Sequence, residues 1–230
     1  MADFTSVDND QMVIENHEQW LKARLAGIGA SEASAVVGCN PYMSNVDLWK
    51  IKTGRKKAAD ISNNANVAYG HAAEAPLREL FALDYPELEV IYLGEYDMVR
   101  NPDYPWLFAT LDGRLIEKAT GRRGIYEGKT AEILRSMQKE KWWSDGKPRV
   151  PDNYYVQLLH QFLATGWDFA YLHAQLKRVY DGVPVCTRRP YPVERSEVQD
   201  DLDYLLAEEI KFWGYVERDE MPPLILPDVF

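Results

Sequence analysis

FATLDGRLIEKATGRRGIYEGKTA, residues 108–131, decides the fold. Apolar and polar residues alternate on both sides of the turn Thr120-Gly121-Arg122-Arg123-Gly124. That period of two predicts two neighbouring strands, residues 106–117 and 125–131. Residues two apart on a strand share a face, so Glu127 and Lys129 project together, and a hairpin partner brings Asp112 beside them. Two carboxylates at one point repel each other and are costly to desolvate. A divalent cation resolves that conflict. Mg²⁺ takes oxygen ligands and keeps several waters, so Asp112, Glu127 and a main-chain carbonyl suffice. Such a cation polarises a phosphodiester and acidifies a bound water. Lys129 can then orient or deprotonate that water, or stabilise the phosphorane, and the cation can lower its pKa. By itself, Glu-x-Lys on a strand is most often a solvated, salt-bridging face. Here Asp112 sits in an otherwise apolar strand, and Gly128 lets a backbone approach a ligand closely.

Working outward, the preceding run 88–99 also alternates and predicts a strand, separated from 106–117 by the turn at Asn101-Pro102. Upstream the pattern is helical: 15–25 capped by Asn16, a short helix from Ser31 to Gly38 capped by Ser31, and 45–53 capped by Asn45 and stopped at Gly54. Residues 55–64 read as a polar loop. A helix over 66–85 contains Pro76, which should kink or interrupt it. Downstream, 132–143 and 151–166 read as helices, 169–179 and 183–192 as strands. The last helix, 194–216, puts Val198, Leu202, Leu205, Leu206, Ile210 and Trp213 on one face. These elements predict an α/β fold with a central mixed, mostly antiparallel sheet flanked by helices. A single domain over 1–230 is expected, its core about 20–193, followed by a helix and tail at 194–230.

The 230 residues, 46% hydrophobic and 12% aromatic, suffice for one sizeable core. No apolar run reaches about 18 residues, so no membrane span is expected. The acidic, polar N-terminus does not read as a signal peptide, and cytoplasmic residence follows. Cys39 and Cys186 are too few for a disulfide framework or a four-thiolate cluster. Net charge is −10, but five acids lie in residues 1–19 and a net −7 in residues 200–230, leaving +2 for residues 20–199. That distribution permits DNA binding without arguing for it.

Five segments together are more specific than the Asp/Glu-x-Lys core: GIGASEASAVVGCNPY (27–42), YGHAAEAPLRE (69–79), FATLDGRL (108–115), YEGKTA (126–131) and YYVQLLHQFLATG (154–166). In these the chain resembles the YqaJ-type viral recombinase family, which includes the phage lambda exonuclease, within the PD-(D/E)xK nuclease superfamily. Leu111 stands where that name has Pro. The resemblance implies that Asp112, Glu127 and the Gly128 carbonyl bind Mg²⁺, or Mn²⁺, in a two-metal site. It implies that Lys129 acts on the attacking water and that Glu74 serves a second metal or its waters. Gln157 would lie beside the metals, on a helix face shared with Gln161. Arg24, Ser31, Thr110 and Arg135 would form a pocket for a terminal 5′-phosphate. Arginine suits it through its forked contact, and Ser31 through the anion preference of a helix N-terminus. The implied activity is 5′→3′ digestion of double-stranded DNA from its ends, leaving 3′ overhangs. The implied assembly is a ring-shaped homotrimer, partnered by a phage single-strand annealing protein and encoded by a phage or prophage.

Two rivals stay open: an endonuclease of the same superfamily, restriction-type or junction-cleaving, and a non-catalytic DNA-binding module that keeps the fold. His71 is expected near the site, His160 and His173 are read as structural, and Cys39 as a small packed residue. Lys50, Lys52, Arg55, Lys56 and Lys57 read as a solvated basic loop or as phosphate contacts. Trp142 and Trp143 read as core or as a contact surface.

Overall fold

The structure is a computed structural model and describes residues 11–60, 63–133, 141–144 and 147–226. Its main sheet has five strands in the order β11-β10-β7-β6-β3. These are β3 (Leu88–Ile91), β6 (Gly113–Glu117), β7 (Arg123–Glu132), β10 (Phe169–Tyr180) and β11 (Val183–Glu194). Only the β7–β10 pair is parallel; the other pairs are antiparallel. Asp181 and Gly182 turn β10 into β11, both with positive φ (49° and 78°), as a tight hairpin requires. Pro184, Pro190 and Pro192 sit in β11, an edge strand, where a missing N–H costs no ladder bond on the open side.

Helices cover both faces. On one, α4 (Ala65–Asp84) packs Phe81 against Leu115, Tyr126 and Phe169. On the other, α5 (Asp152–Thr165) places Phe162, Leu159 and Leu163 in the largest core cluster, with α2 (Ala30–Val36) and α6 (Gln199–Glu217) outside it. Gly166, in the left-handed region at φ 67°, ends α5. The remaining helices are α1 (His17–Leu25) and α3 (Asn45–Lys52). A second sheet, ordered β1-β4-β5-β2, joins β1 (Gln11–Met12), β4 (Met98–Arg100), β5 (Leu107–Thr110) and β2 (Ile28–Gly29). A short ribbon pairs β8 (Trp143–Ser144) with β9 (Lys147–Pro148).

The expected α/β architecture stands, and several element readings are corrected. The runs 88–99 and 106–117 each divide between the two sheets, at the turn holding Gly94 (φ 108°) and at Leu111-Asp112. A buried ion pair fastens this corner: Arg114 donates to Asp97 at 2.8 and 2.5 Å, and the Leu111 N–H reaches the Asp97 carbonyl at 3.0 Å. Helix α2 starts one residue before Ser31; Gly29 is its cap position, and Glu32 accepts the Gly29 N–H at 2.9 Å. Ser44, not Asn45, caps α3. Pro76 does not interrupt α4, because both Pro76 and Ala72 are exposed and water can take the carbonyl left without a donor. Of the helix expected over 132–143, the ends Glu132 and Trp143 lie in strands, while residues 134–140 fall outside the described residues. The apolar face of α6 is rotated: Glu209 is fully buried and Ile210 is 42% exposed. His160 explains this, with Nδ1 at 2.7 Å from Glu209 and Nε2 donating to the Phe108 carbonyl at 2.9 Å. Burial lowers the His160 pKa, but the facing Glu209 carboxylate outweighs it and the net direction is up.

Candidate active site

Asp112 occupies the corner where the chain leaves β5 for β6, and β7 runs alongside. The register Gly113↔Tyr126 brings Asp112 next to Glu127 and Gly128. The Gly128 N–H donates to Asp112 Oδ2 at 2.9 Å. Arg78, on α4, donates to the Asp112 carbonyl at 2.9 Å, fixing the backbone there. Period two then sorts β7: Tyr126 faces α4, while Ile125 and Glu127 face α5.

Glu127 is 2% exposed and is met by three donors. Lys129 Nζ donates to Oε1. Gln157 also donates to Oε1, and Gln161 to Oε2, each at 2.6 Å. The two glutamines are four apart on α5, so one helical turn holds both oxygens. Lys129 Nζ also lies 5.2 Å from the centre of the Tyr154 ring.

Charge at this point is out of balance. Burial, then the Glu127 charge, push the Asp112 carboxyl up to about 8, against Lys129 and the Gly128 N–H. Burial lowers the Lys129 pKa, but Glu127 and Asp112 outweigh it, and the ammonium is held more firmly than usual. A second hard cation fits such a site. Two carboxylates supply oxygen donors, and no described donor meets Asp112 Oδ1. Among the described residues no three or more His, Cys, Asp or Glu side chains gather as a complete ligand cage. An ion that keeps waters, such as Mg²⁺, matches two carboxylates better than one needing a full protein shell.

Glu74 faces the same region: its charge contributes to the raised Asp112 pKa. Its carboxylate is held by His71, with Nδ1 at 3.1 Å. His71 thus sits beside Glu74.

The second group of expected residues also converges. Arg24 NH2 lies 3.5 Å from Ser31 Oγ and 3.1 Å from Glu32 Oε1. Its guanidinium sits over the Trp20 ring at 4.7 Å. Trp20 Nε1 donates to Thr110 Oγ1 at 3.1 Å, which places Thr110 in the group through Trp20. Gly27 allows this approach: a Cβ there would lie 2.1 Å from the Trp106 carbonyl oxygen. Arg135 lies outside the described residues.

Sequence reasoning missed the contacts of three residues, Glu32, Trp20 and Lys52. Trp20 carries no pattern of its own, and Glu32 lies inside the 27–42 segment, in the first turn of a helix, without being singled out. Gln161, expected on the face of Gln157, grips Glu127 as Gln157 does. Lys52 was read with a solvated basic loop, but its side chain is 1% exposed and bound to Glu32. The rest of that cluster is partly paired within the chain, Arg55 with Asp219 at 2.6 Å and Lys56 with Asp47 at 2.7 Å. Cys39 is exposed rather than packed. Trp142 is core, while the Trp143 ring carries the guanidinium of Arg189 at 4.4 Å. His173 is structural, 3.2 Å from the Tyr126 hydroxyl.

Comparison with known proteins bears on the fold and the family. The uncharacterized protein YqaJ of Bacillus subtilis (strain 168) is 24% identical over 199 residues, 86% of this chain and 56% of that protein. The chain thus spans little more than half the length of that relative. An alkaline exonuclease, LHK-Exo from Laribacter hongkongensis, matches with a TM-score of 0.56 at 21% identity, over 88% of this chain and 97% of that one. The protein of a SOX–DNA complex matches with a TM-score of 0.52 at 12% identity, over 88% and 68%. At such identities the likeness is one of fold, and the fold is that of the alkaline exonucleases. Residues 19–168 match the family model of the YqaJ-like viral recombinase domain, well over half of the chain, and the protein belongs to that family.

Proposed function

We propose that this protein is a metal-dependent 5′→3′ exonuclease that digests double-stranded DNA from its ends and leaves 3′ overhangs. The observation that carries the reading is the convergence of Asp112, Glu127 and Lys129 at the junction of two sheets, in a chain of the YqaJ-like viral recombinase family. Asp112, Glu127 and the Gly128 carbonyl would hold Mg²⁺ or Mn²⁺, with Glu74 serving a second ion or its waters. The bound metal supplies Lewis acidity toward the scissile phosphodiester and acidifies water. The chain's own residues do the rest. Gln157 and Gln161 lock the Glu127 rotamer, so its lone pairs are aimed before DNA arrives. Lys129 keeps its proton at Nζ and is tethered by Glu127, which suits it to orient water by donation and to offset charge that develops on the phosphoryl group.

Polarity and end recognition rest on Arg24, Ser31, Thr110 and Arg135 as the seat of a terminal 5′-phosphate. The guanidinium of Arg24 is fixed on a ring face and beside a hydroxyl, an arrangement that suits forked recognition of phosphate. The whole chain would act as one nuclease unit. A homotrimeric ring, a single-strand annealing partner, phage or prophage origin and a cytoplasmic place of action complete the proposal. No helix among the described residues is long and apolar enough to cross a membrane.

The test is digestion of linear duplex DNA with Mg²⁺, comparing 5′-phosphorylated and 5′-hydroxyl ends, with covalently closed circles alongside. The proposal expects loss of linear DNA alone, faster from phosphorylated ends. Cutting of the circles would make the enzyme an endonuclease, and inactivity on every substrate would leave a DNA-binding module.

A further inference from the structure

Glu32 stands where an anion pocket should least want a carboxylate. Its side chain is 10% exposed, on α2, and both oxygens are used. Oε1 lies 3.1 Å from Arg24 NH2. Oε2 accepts from the Gly29 N–H at 2.9 Å and from Lys52 Nζ at 2.7 Å. Lys52 is nearly inaccessible and also donates to the main-chain oxygen of Arg24 at 2.6 Å. Burial raises the Glu32 pKa, but Lys52 and Arg24 outweigh it, so the carboxylate stays charged.

A negative charge here opposes phosphate binding, and a pocket that needed only positive charge would do better without it. What the carboxylate provides is orientation. An arginine side chain is long and has much rotamer freedom to lose when it engages a ligand. In this protein that freedom is already gone. The Trp20 ring sets the plane of the Arg24 guanidinium, and Thr110 holds Trp20. Glu32 fixes how the guanidinium is turned within that plane, since it grips one of its two terminal nitrogens. Lys52 neutralises Glu32 and ties the Arg24 backbone to the same point, leaving the Arg24 charge for a ligand.

We propose that Glu32, braced by Lys52, is a positioning residue that aims the Arg24 fork at a terminal phosphate and so sets the preference for phosphorylated ends. The inference rests on the pocket reading above, and the experiment separates the two.

The readout is the ratio of kcat/KM on 5′-phosphorylated to 5′-hydroxyl duplex ends, with Mg²⁺, for the full chain and its Arg24→Ala, Glu32→Gln and doubly substituted forms. Glu32→Gln keeps the side-chain shape and removes the charge. A misaimed fork should lower the ratio about tenfold, with the hydroxyl-end rate moving much less. The double variant should be no worse than Arg24→Ala alone, because the two residues act as one unit. If Arg24→Ala collapses the ratio and Glu32→Gln leaves it intact, Glu32 does not position Arg24 and the pocket survives. If Arg24→Ala itself leaves the ratio intact, the pocket reading fails. Equal losses on both kinds of end in Glu32→Gln would mark Glu32 as merely structural and overturn the inference. Should Glu32→Gln not fold, Glu32→Asp keeps the charge but shortens the reach, and its ratio decides between the same outcomes.

Discussion

At Asp112 the fold works against the charge that the chemistry needs. An unfolded Asp titrates near 3.9, whereas burial and Glu127 push this one up to about 8. A carboxyl raised in the fold binds its proton more tightly there than in the unfolded chain. Without metal, therefore, its contribution is intact below about pH 4 and is progressively lost as pH rises toward about 8. In EDTA, Asp112→Asn should match the wild type near pH 4 and surpass it at pH 9, read as urea midpoints. Equal midpoints at both pH values would contradict this. A cation has to displace that same proton, so added Mg²⁺ should raise Tm more at pH 9 than at pH 6. Gln161 gives a second residue-scale prediction. Its Nε2 holds Glu127, and its Oε1 is buried with no described partner. Gln161→Leu should lower kcat by roughly 10- to 100-fold while the protein stays folded; an unchanged kcat would remove Gln161 from the site. Asp112, Glu127 and Lys129 were legible in the sequence because strand periodicity pairs Glu127 with Lys129, a hairpin partner brings Asp112 beside them, and the neighbouring segments resemble a nuclease family. Glu32 and Lys52 were not, because the buried pair they form joins residues 20 positions apart on two different helices.

Elements tell a similar story. The alternation at 88–99 and 106–117 marked strands correctly, but period two does not register a change of sheet. The division depends on the Asp97–Arg114 pair, a contact between two segments that each look ordinary. The face of α6 was misread for a related reason. Hydrophobicity put Ile210 inward, and a buried His160–Glu209 contact turned it outward. Asn45 is a third case. It was read as a cap, yet it is 2% exposed and clasps the C-terminal tail, donating to the Pro223 carbonyl at 2.8 Å and accepting the Ile225 N–H at 3.0 Å. Asn45→Ala strips two backbone groups of their partner and should cost about 1–3 kcal/mol. A lower urea midpoint and faster proteolysis after residue 220 are the expected signs; an unchanged midpoint would show that the tail is held elsewhere.

At the scale of the molecule, the net charge of −10 argued against DNA binding until its distribution was considered. Acidic ends can flank a mildly basic middle because screening confines charge effects to about 10 Å at 0.1 M salt. A closed ring would let the outside and the DNA channel carry different signs. The proposed homotrimer predicts a mass by light scattering of three times 26.5 kDa; a monomer mass would remove the ring and the processivity it implies. The fold class was legible because the order of helical and alternating segments constrains the layers. Assembly was not, since nothing in one chain's periodicity describes a second copy.

The proposed metal-dependent nuclease centre rests on Asp112, Glu127 and Lys129 together. Its most direct test is the rate of digestion of linear duplex DNA by the wild type and by Lys129→Ala, each with Mg²⁺ and with EDTA. The expected result is digestion by the wild type with Mg²⁺ only, and at least about a 10²-fold lower rate for a folded Lys129→Ala that still binds DNA. Digestion by Lys129→Ala at the wild-type rate, or wild-type digestion that persists in EDTA, would contradict it.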